Sequence, residues 1–160
     1  MDTFCIPIVV DDETDLYEKY YPSAMTFSAD LTAYLEDFLE DRKLGDGVIL
    51  ELQASQQPDI EHFRSAFQAF TDKLIRRNSK SIHLADLKAI LFLLLGMAFV
   101  SIGVALAGRV DSLGAEIISA IGSFALWGAA STFIETLPTL RVQKKRLEIL
   151  SKAEIRYKAI

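Results

Sequence analysis

The chain has a single cysteine, Cys5, which excludes any disulfide within it and fits a reducing compartment. Cys5 lies in an apolar stretch and is expected to be a small buried hydrophobe. The two histidines, His62 and His83, have no ligand partner at metal spacing, which argues against a zinc or catalytic histidine site. A Gly-rich phosphate loop, a nucleophile elbow and a carboxylate pair on one helix face are all missing, so no cofactor and no enzymatic activity are expected. A basic start followed by a short apolar core is missing too: Asp2 and the acids of 11–15 stand there instead. The first long apolar run is then expected to act as the insertion signal itself.

Long apolar runs are what the chain does have. Lys88 and Arg109 bracket 20 uncharged residues, AILFLLLGMAFVSIGVALAG. At 1.5 Å per residue this run reaches about 30 Å, the thickness of a bilayer's hydrocarbon core. Eight residues, Arg109 to Glu116, separate it from a second uncharged run of 18, Ile117 to Ile134, which continues past Glu135 to Thr139. Neither run has the one-sided polarity of a soluble helix. The reading is an antiparallel transmembrane hairpin: a first span over 89–108, a short extracytoplasmic loop over 109–116 and a second span over 117–139.

The flanks set the orientation. Arg76, Arg77, Lys80 and Lys88 precede the first span, and Arg141, Lys144, Lys145 and Arg146 follow the second, whereas the loop holds Arg109 against Asp111 and Glu116. Basic flanks stay cytoplasmic, so both termini are expected inside a plasma (inner) membrane, with these eight residues as a basic collar. The overall charge of −5 conceals this polarity. Residues 1–72 carry 16 acids against four bases, net −12, and residues 73–160 carry 13 bases against six acids, net +7. An acidic head repels phosphate, which argues against nucleic-acid binding, and the collar suits an anionic leaflet.

The head, 1–80, reads as β-α-β-α. TFCIPIVV (3–10) suits a strand, which Pro7 demotes to an edge strand or to an irregular one. Ser28 can cap a helix over 29–43 in which Leu31, Tyr34, Leu35 and Phe38 share a face. Gly45-Asp46-Gly47 breaks the chain before a second strand, VILELQAS (48–55), and Pro58 and Asp59 open a helix striped by Ile60, Phe63, Phe67, Phe70 and Leu74. Two strands make a poor sheet. The cytosolic tail, 140–160, offers a basic helix near Val142–Lys152 and then Ile155, Tyr157 and Ala159 alternating with Arg156 and Lys158, the period of a returning third strand. The fold class is thus an α+β membrane protein.

Few residues suggest chemistry. Asp11 and Asp12, with Glu13 and Asp15, follow the first strand much as the acidic pair of a receiver domain does. The later phosphorylatable Asp and the five βα units are absent, so a solvated acidic turn is the expected reading and a divalent-ion site the weaker one. In the spans, Gly103-x₃-Ala107, Ser119-x₃-Ser123 and Ala125-x₃-Ala129 offer small faces for close helix approach. Gly128, Thr132, Glu135 and Thr139 fall on one face of the second span by steps of four, three and four. Glu135, the ionisable residue of that stretch, is expected to snorkel or to pair with Arg141 or Lys88, with a pathway role as the alternative. Trp127 lies mid-span and is expected to pack against protein.

SADLTAYLEDFLEDRKLGDGVILE (28–51) and IGSFALWGAASTFIETLPTLRVQKKRLEIL (121–150) resemble a group of small uncharacterised bacterial membrane proteins. These have a cytosolic α/β head, a two-helix hairpin with a mid-span tryptophan and an acid near its exit, and a basic tail. Trp127, Glu135 and the Arg141–Arg146 cluster carry the likeness, which implies a bacterial inner-membrane protein and supplies no activity. The expected function is a non-enzymatic membrane protein that presents an interaction or sensing head, associates with its own copies and has the bilayer and a cytosolic protein as partners. The alternative is a small oligomeric channel or membrane-disrupting effector gated by the head, which would use the polar face of the second span.

Overall fold

The computed structural model describes residues 3–10, 16–17, 26–41, 47–54, 59–106 and 112–159. The elements run β1 (Thr3–Val10), α1 (Ala29–Asp41), β2 (Gly47–Ala54), α2 (Ile60–Leu106), α3 (Ser112–Ser131), a π turn (Thr132–Thr136), α4 (Leu137–Leu150) and β3 (Glu154–Ala159). The fold is α+β and divides into two compact units, Met1–Arg77 with Gln143–Ile160, and Asn78–Val142.

In the first unit the strands form one sheet in the order β1-β2-β3 with both pairings parallel. Pro7 sits on the edge strand β1, where its missing N–H removes no ladder bond from the sheet's centre. The tail strand supplies the third member: Ile49 is opposite Glu154 and Ala54 opposite Ala159. Tyr157 ties it further, its hydroxyl donating to the Ala54 carbonyl at 3.0 Å. The connection between the neighbouring strands β2 and β3 therefore contains the whole second unit.

One face of the sheet is the core. Ile6, Ile8 and Val10 join Val48, Leu50, Leu52 and Ala54, and Leu31, Leu35, Phe63, Ala66, Phe67 and Leu150 from the helices pack with them. Phe27 centres an aromatic cluster, with ring centroids 5.2 Å from Phe63 and 5.7 Å from Phe70. The helix starts follow from their caps. The Leu31 N–H donates to Ser28 Oγ at 3.4 Å, and the Glu61 and His62 N–H groups donate to Asp59 Oδ1 at 3.0 Å each.

Several boundaries differ from the sequence reading. The head's striped helix and the first apolar run are a single helix, α2, because nothing between Leu74 and Lys88 breaks the ladder: the stretch holds no proline or glycine. Helix α3 opens at Ser112, taking 112–116 out of the expected loop, and the helical path then continues to Leu150. Cys5 is exposed rather than buried, because strand alternation places it with Pro7 and Val9 on the face opposite the core. Asp11, Asp12, Glu13 and Asp15 lie outside the described residues.

Candidate functional site

The second unit packs two apolar helical segments against each other through small residues. Ala89, Gly96 and Gly103 on α2 and Ala115, Gly122 and Ala129 on α3 are buried, each set at intervals of seven. That interval keeps one seam facing the partner helix, and small side chains let the backbones approach. A Cβ added at Gly122 would stand 2.8 Å from the Val100 nitrogen and 2.9 Å from the Gly96 oxygen. One added at Gly96 would meet Leu126 Cγ at 2.6 Å, and one at Gly103 would collide with Ser119 Oγ. Of the small faces expected from four-residue spacing, Gly103, Ser119 and Ala129 belong to this seam, whereas Ser123 is exposed and Ala107 lies outside the described residues.

The large apolar side chains point the other way. Leu84, Leu87, Leu94, Val104, Leu113, Phe124, Trp127 and Ile134 are all 61–78% exposed. From Leu87 to Val104 this belt extends about 26 Å along the helix, and from Leu113 to Ile134 about 31 Å. Two helical stretches, Ile60–Leu106 and Leu113–Leu150, are long and apolar enough to cross a membrane. A core helix of a soluble protein would pass the same test, but it would be buried. Here the most apolar windows are 17% and 11% buried. Small residues inside and large apolar residues outside invert the arrangement of a water-soluble helix pair.

The polar face of the second segment lies beside a proline. Pro138 brings no N–H to the helix ladder, and its ring crowds the Ile134 carbonyl four residues back. The chain widens into the π turn just before it, where the Leu137 N–H donates to the Thr132 carbonyl, five residues back. Three hydroxyls then bond within the same helical path. Thr139 Oγ1 donates to the Glu135 carbonyl at 2.7 Å, Thr132 Oγ1 to the Gly128 carbonyl at 2.8 Å, and Ser131 Oγ to Glu135 Oε2 at 3.0 Å. Glu135 thus has Ser131 beside it, one turn back, where the sequence reading expected Arg141 or Lys88. Lys88 Nζ instead lies 5.6 Å from the Phe92 ring centroid. Trp127 is 73% exposed, so within one chain it does not pack against protein as expected. Its place one flank away from the glycine seam is the reason.

Of the collar, Arg76, Arg77, Lys80, Lys88, Arg141 and Lys145 are exposed, and Lys144 and Arg146 are half-buried. Lys144 lies 3.9 Å from Glu148.

On the head, the open sheet face carries a charged row that sequence reading missed. Glu51 sits at its centre on β2. Its Oε1 accepts from Gln53 Nε2 at 2.7 Å and meets Lys158 Nζ at 3.2 Å, and its Oε2 lies 3.6 Å from Cys5 Sγ. One carboxylate therefore touches all three strands. The Gln53 and Lys158 bonds hold its pKa below the usual carboxylate range, and the Cys5 thiol is raised by loss of water and by the Glu51 charge. Arg156 pairs with Glu154 through two bonds of 3.0 Å, so the four charges of this face cancel. The register of β3 against β2 creates the row, and no local pattern announces a register.

A cavity of about 570 Å³ lies at the carboxyl end of β1 beside the start of α1. Pro7, Val9, Leu31 and Tyr34 line it with Ser28 and Asp30, and Tyr34 donates its hydroxyl to the Pro7 carbonyl at 3.0 Å. His62 stacks edge-on against Tyr17 at 4.9 Å, an ordinary packing role. Among the described residues, no three His, Cys, Asp or Glu side chains come together as a metal set.

Protein-family models, curated proteins and solved structures give no match to this chain. The likeness to small bacterial membrane proteins gains no support from them.

Proposed function

We propose that the chain is a non-enzymatic membrane protein whose helical hairpin anchors an interaction head at the cytoplasmic face of a plasma membrane. The observation that carries this reading is the inverted hairpin, with glycine and alanine inside and leucine, isoleucine, phenylalanine and tryptophan outside. Lipid is the solvent that suits such a surface. The basic flanks at both ends of the hairpin favour a cytoplasmic location for both termini. The head suits binding better than chemistry. Parallel sheets are normally covered on both faces, and this one leaves a charge-neutral face with Cys5, Pro7 and Val9 exposed beside it.

The polar face of the second segment has a use besides lining a pore. Its hydroxyls are taken up by the helix's own carbonyls and by Glu135. Planar-bilayer recording of the purified full chain separates the two readings. An anchor gives no conductance, either as the natural chain or as Glu135→Gln. A cation-selective current that falls in Glu135→Gln would overturn the proposal in favour of a channel.

A further inference from the structure

We infer that two copies of this chain pair in the membrane through one flank of α3, with Trp127 of each copy donating its indole N–H to Ser123 of the other. The inference rests on the membrane reading above. Trp127 lies inside the apolar belt between Leu113 and Ile134, about 10 Å along the helix from Ile134, and its indole N–H has no hydrogen-bond partner among the described residues. At that depth there is no water, and a polar hydrogen left in hydrocarbon is costly. A tryptophan serving as a membrane-boundary anchor would stand at an end of the span.

The face around Trp127 differs from the rest of the helix surface. Ala120, Ser123, Trp127 and Ser131 follow one another by three, four and four residues, so they share a flank about 140° from the glycine seam at 3.6 residues per turn. Ala120, Ser123 and Trp127 are exposed and Ser131 is half-buried. The neighbouring surface holds Ile117, Ile121 and Phe124, which suit lipid.

The flank is complementary to itself. Ser123 Oγ donates its own hydrogen to the Ser119 carbonyl at 2.9 Å, which fixes the hydroxyl and leaves its oxygen lone pairs directed outward as acceptors. The donor, the indole N–H, is one turn away on the same flank. Copies inserted with one topology run parallel and are related by a two-fold axis along the membrane normal, so each flank meets its own image. Helical side chains lean toward the amino terminus and cover the preceding turn. Trp127 of one copy therefore lies over the level of Ser123 in the other, and the two bonds form reciprocally. Ala120 and Ser131 are small enough to let the backbones approach. Glu135 lies two turns further toward the collar, where the carboxylates of both copies can reach water.

The test uses the full chain with Cys5→Ser, reconstituted into phosphatidylethanolamine–phosphatidylglycerol vesicles and checked for resistance to alkaline carbonate. Single cysteines are placed by Ala120→Cys and Ser131→Cys on the flank, and by Ile117→Cys and Ile121→Cys off it, and disulfide-linked dimers are counted after mild oxidation. The expected result is dimers from the flank positions and few from the others. Energy transfer between labelled copies should show Trp127→Phe, which keeps an aromatic ring and loses the N–H, weakening the dimer roughly threefold to tenfold, and Ser123→Ala doing the same. Carbonate-resistant protein that links best at Ile117 and Ile121, or not at all, overturns the pairing and leaves the membrane reading standing. Dimers that link at Ala120 but do not weaken in Trp127→Phe overturn the indole bond. Protein that carbonate extracts overturns the membrane reading, and the pairing falls with it.

Discussion

Gly96 and Gly122 stand backbone to backbone: a Cβ on either one would lie 2.9 Å from the carbonyl oxygen of the other. The relationship is reciprocal and involves main chain, so neither helix can yield by moving a rotamer. Gly122→Ala also meets the Val100 nitrogen at 2.8 Å and should be the worst of the glycine substitutions, costing about 1–3 kcal/mol of hairpin stability as overpacked sites do. Gly128→Ala meets only the Phe92 ring, at 3.2 Å and beyond, and should be nearly neutral. Unfolding in bicelles measures both. Equal losses at the two sites would contradict the close seam.

Thr139 Oγ1 donates to the Glu135 carbonyl, one residue on from the Ile134 carbonyl that Pro138 leaves without its ladder N–H. Thr139→Val keeps the shape and removes the hydroxyl, so it should cost about 1 kcal/mol. Unfolding in bicelles measures it, and an unchanged midpoint would contradict a contribution from this bond.

The fold was legible where a pattern is local. The period-two run at 3–10, the Asp59 cap with its phenylalanine stripe and the alternation of Ile155 with Tyr157 each state their own secondary structure. What escaped depends on partners far away in sequence. The seam uses seven-residue intervals shared by two helices, so Gly96 and Gly122 looked like ordinary small residues, while the four-residue pairs drew attention. Cys5 looked buried by composition, yet the face it occupies is decided by which residues of β1 pack on Leu50 and Leu52. For Glu135 the sequence leaves snorkelling, pairing and a pathway open, because the Ser131 hydroxyl beside it and the π turn before Pro138 follow from no local pattern. Element ends were missed where no breaker marks them, as between Leu74 and Lys88.

Tyr157 anchors the tail strand to the Ala54 carbonyl from across the chain. Tyr157→Phe should cost the head about 1 kcal/mol. Ending the chain after Lys152 removes β3 altogether and should raise hydrogen exchange throughout β2, its former neighbour. Unchanged exchange in β2 would mean that the tail contributes nothing to the sheet.

Glu51 makes the head's stability depend on pH in a predictable direction. Its folded pKa lies below the ordinary carboxylate value of about 4.3. The stabilisation is therefore fully present above that value and is lost as pH falls through the lower, folded one. Denaturation midpoints of the natural chain should drop on acidification more than those of Glu51→Gln, which lacks the titrating group. Identical slopes in the two proteins would remove Glu51 from the account.

In the proposed topology an inverted hairpin crosses the membrane twice and returns the chain to the side it left. A reporter active only outside the cytoplasm, inserted between Val110 and Asp111 of the full chain, tests it directly when paired with fusions at both termini. The expected result is activity from the loop insertion and none from either terminus. A silent loop insertion in stably expressed protein, or activity from one terminus, would contradict the hairpin.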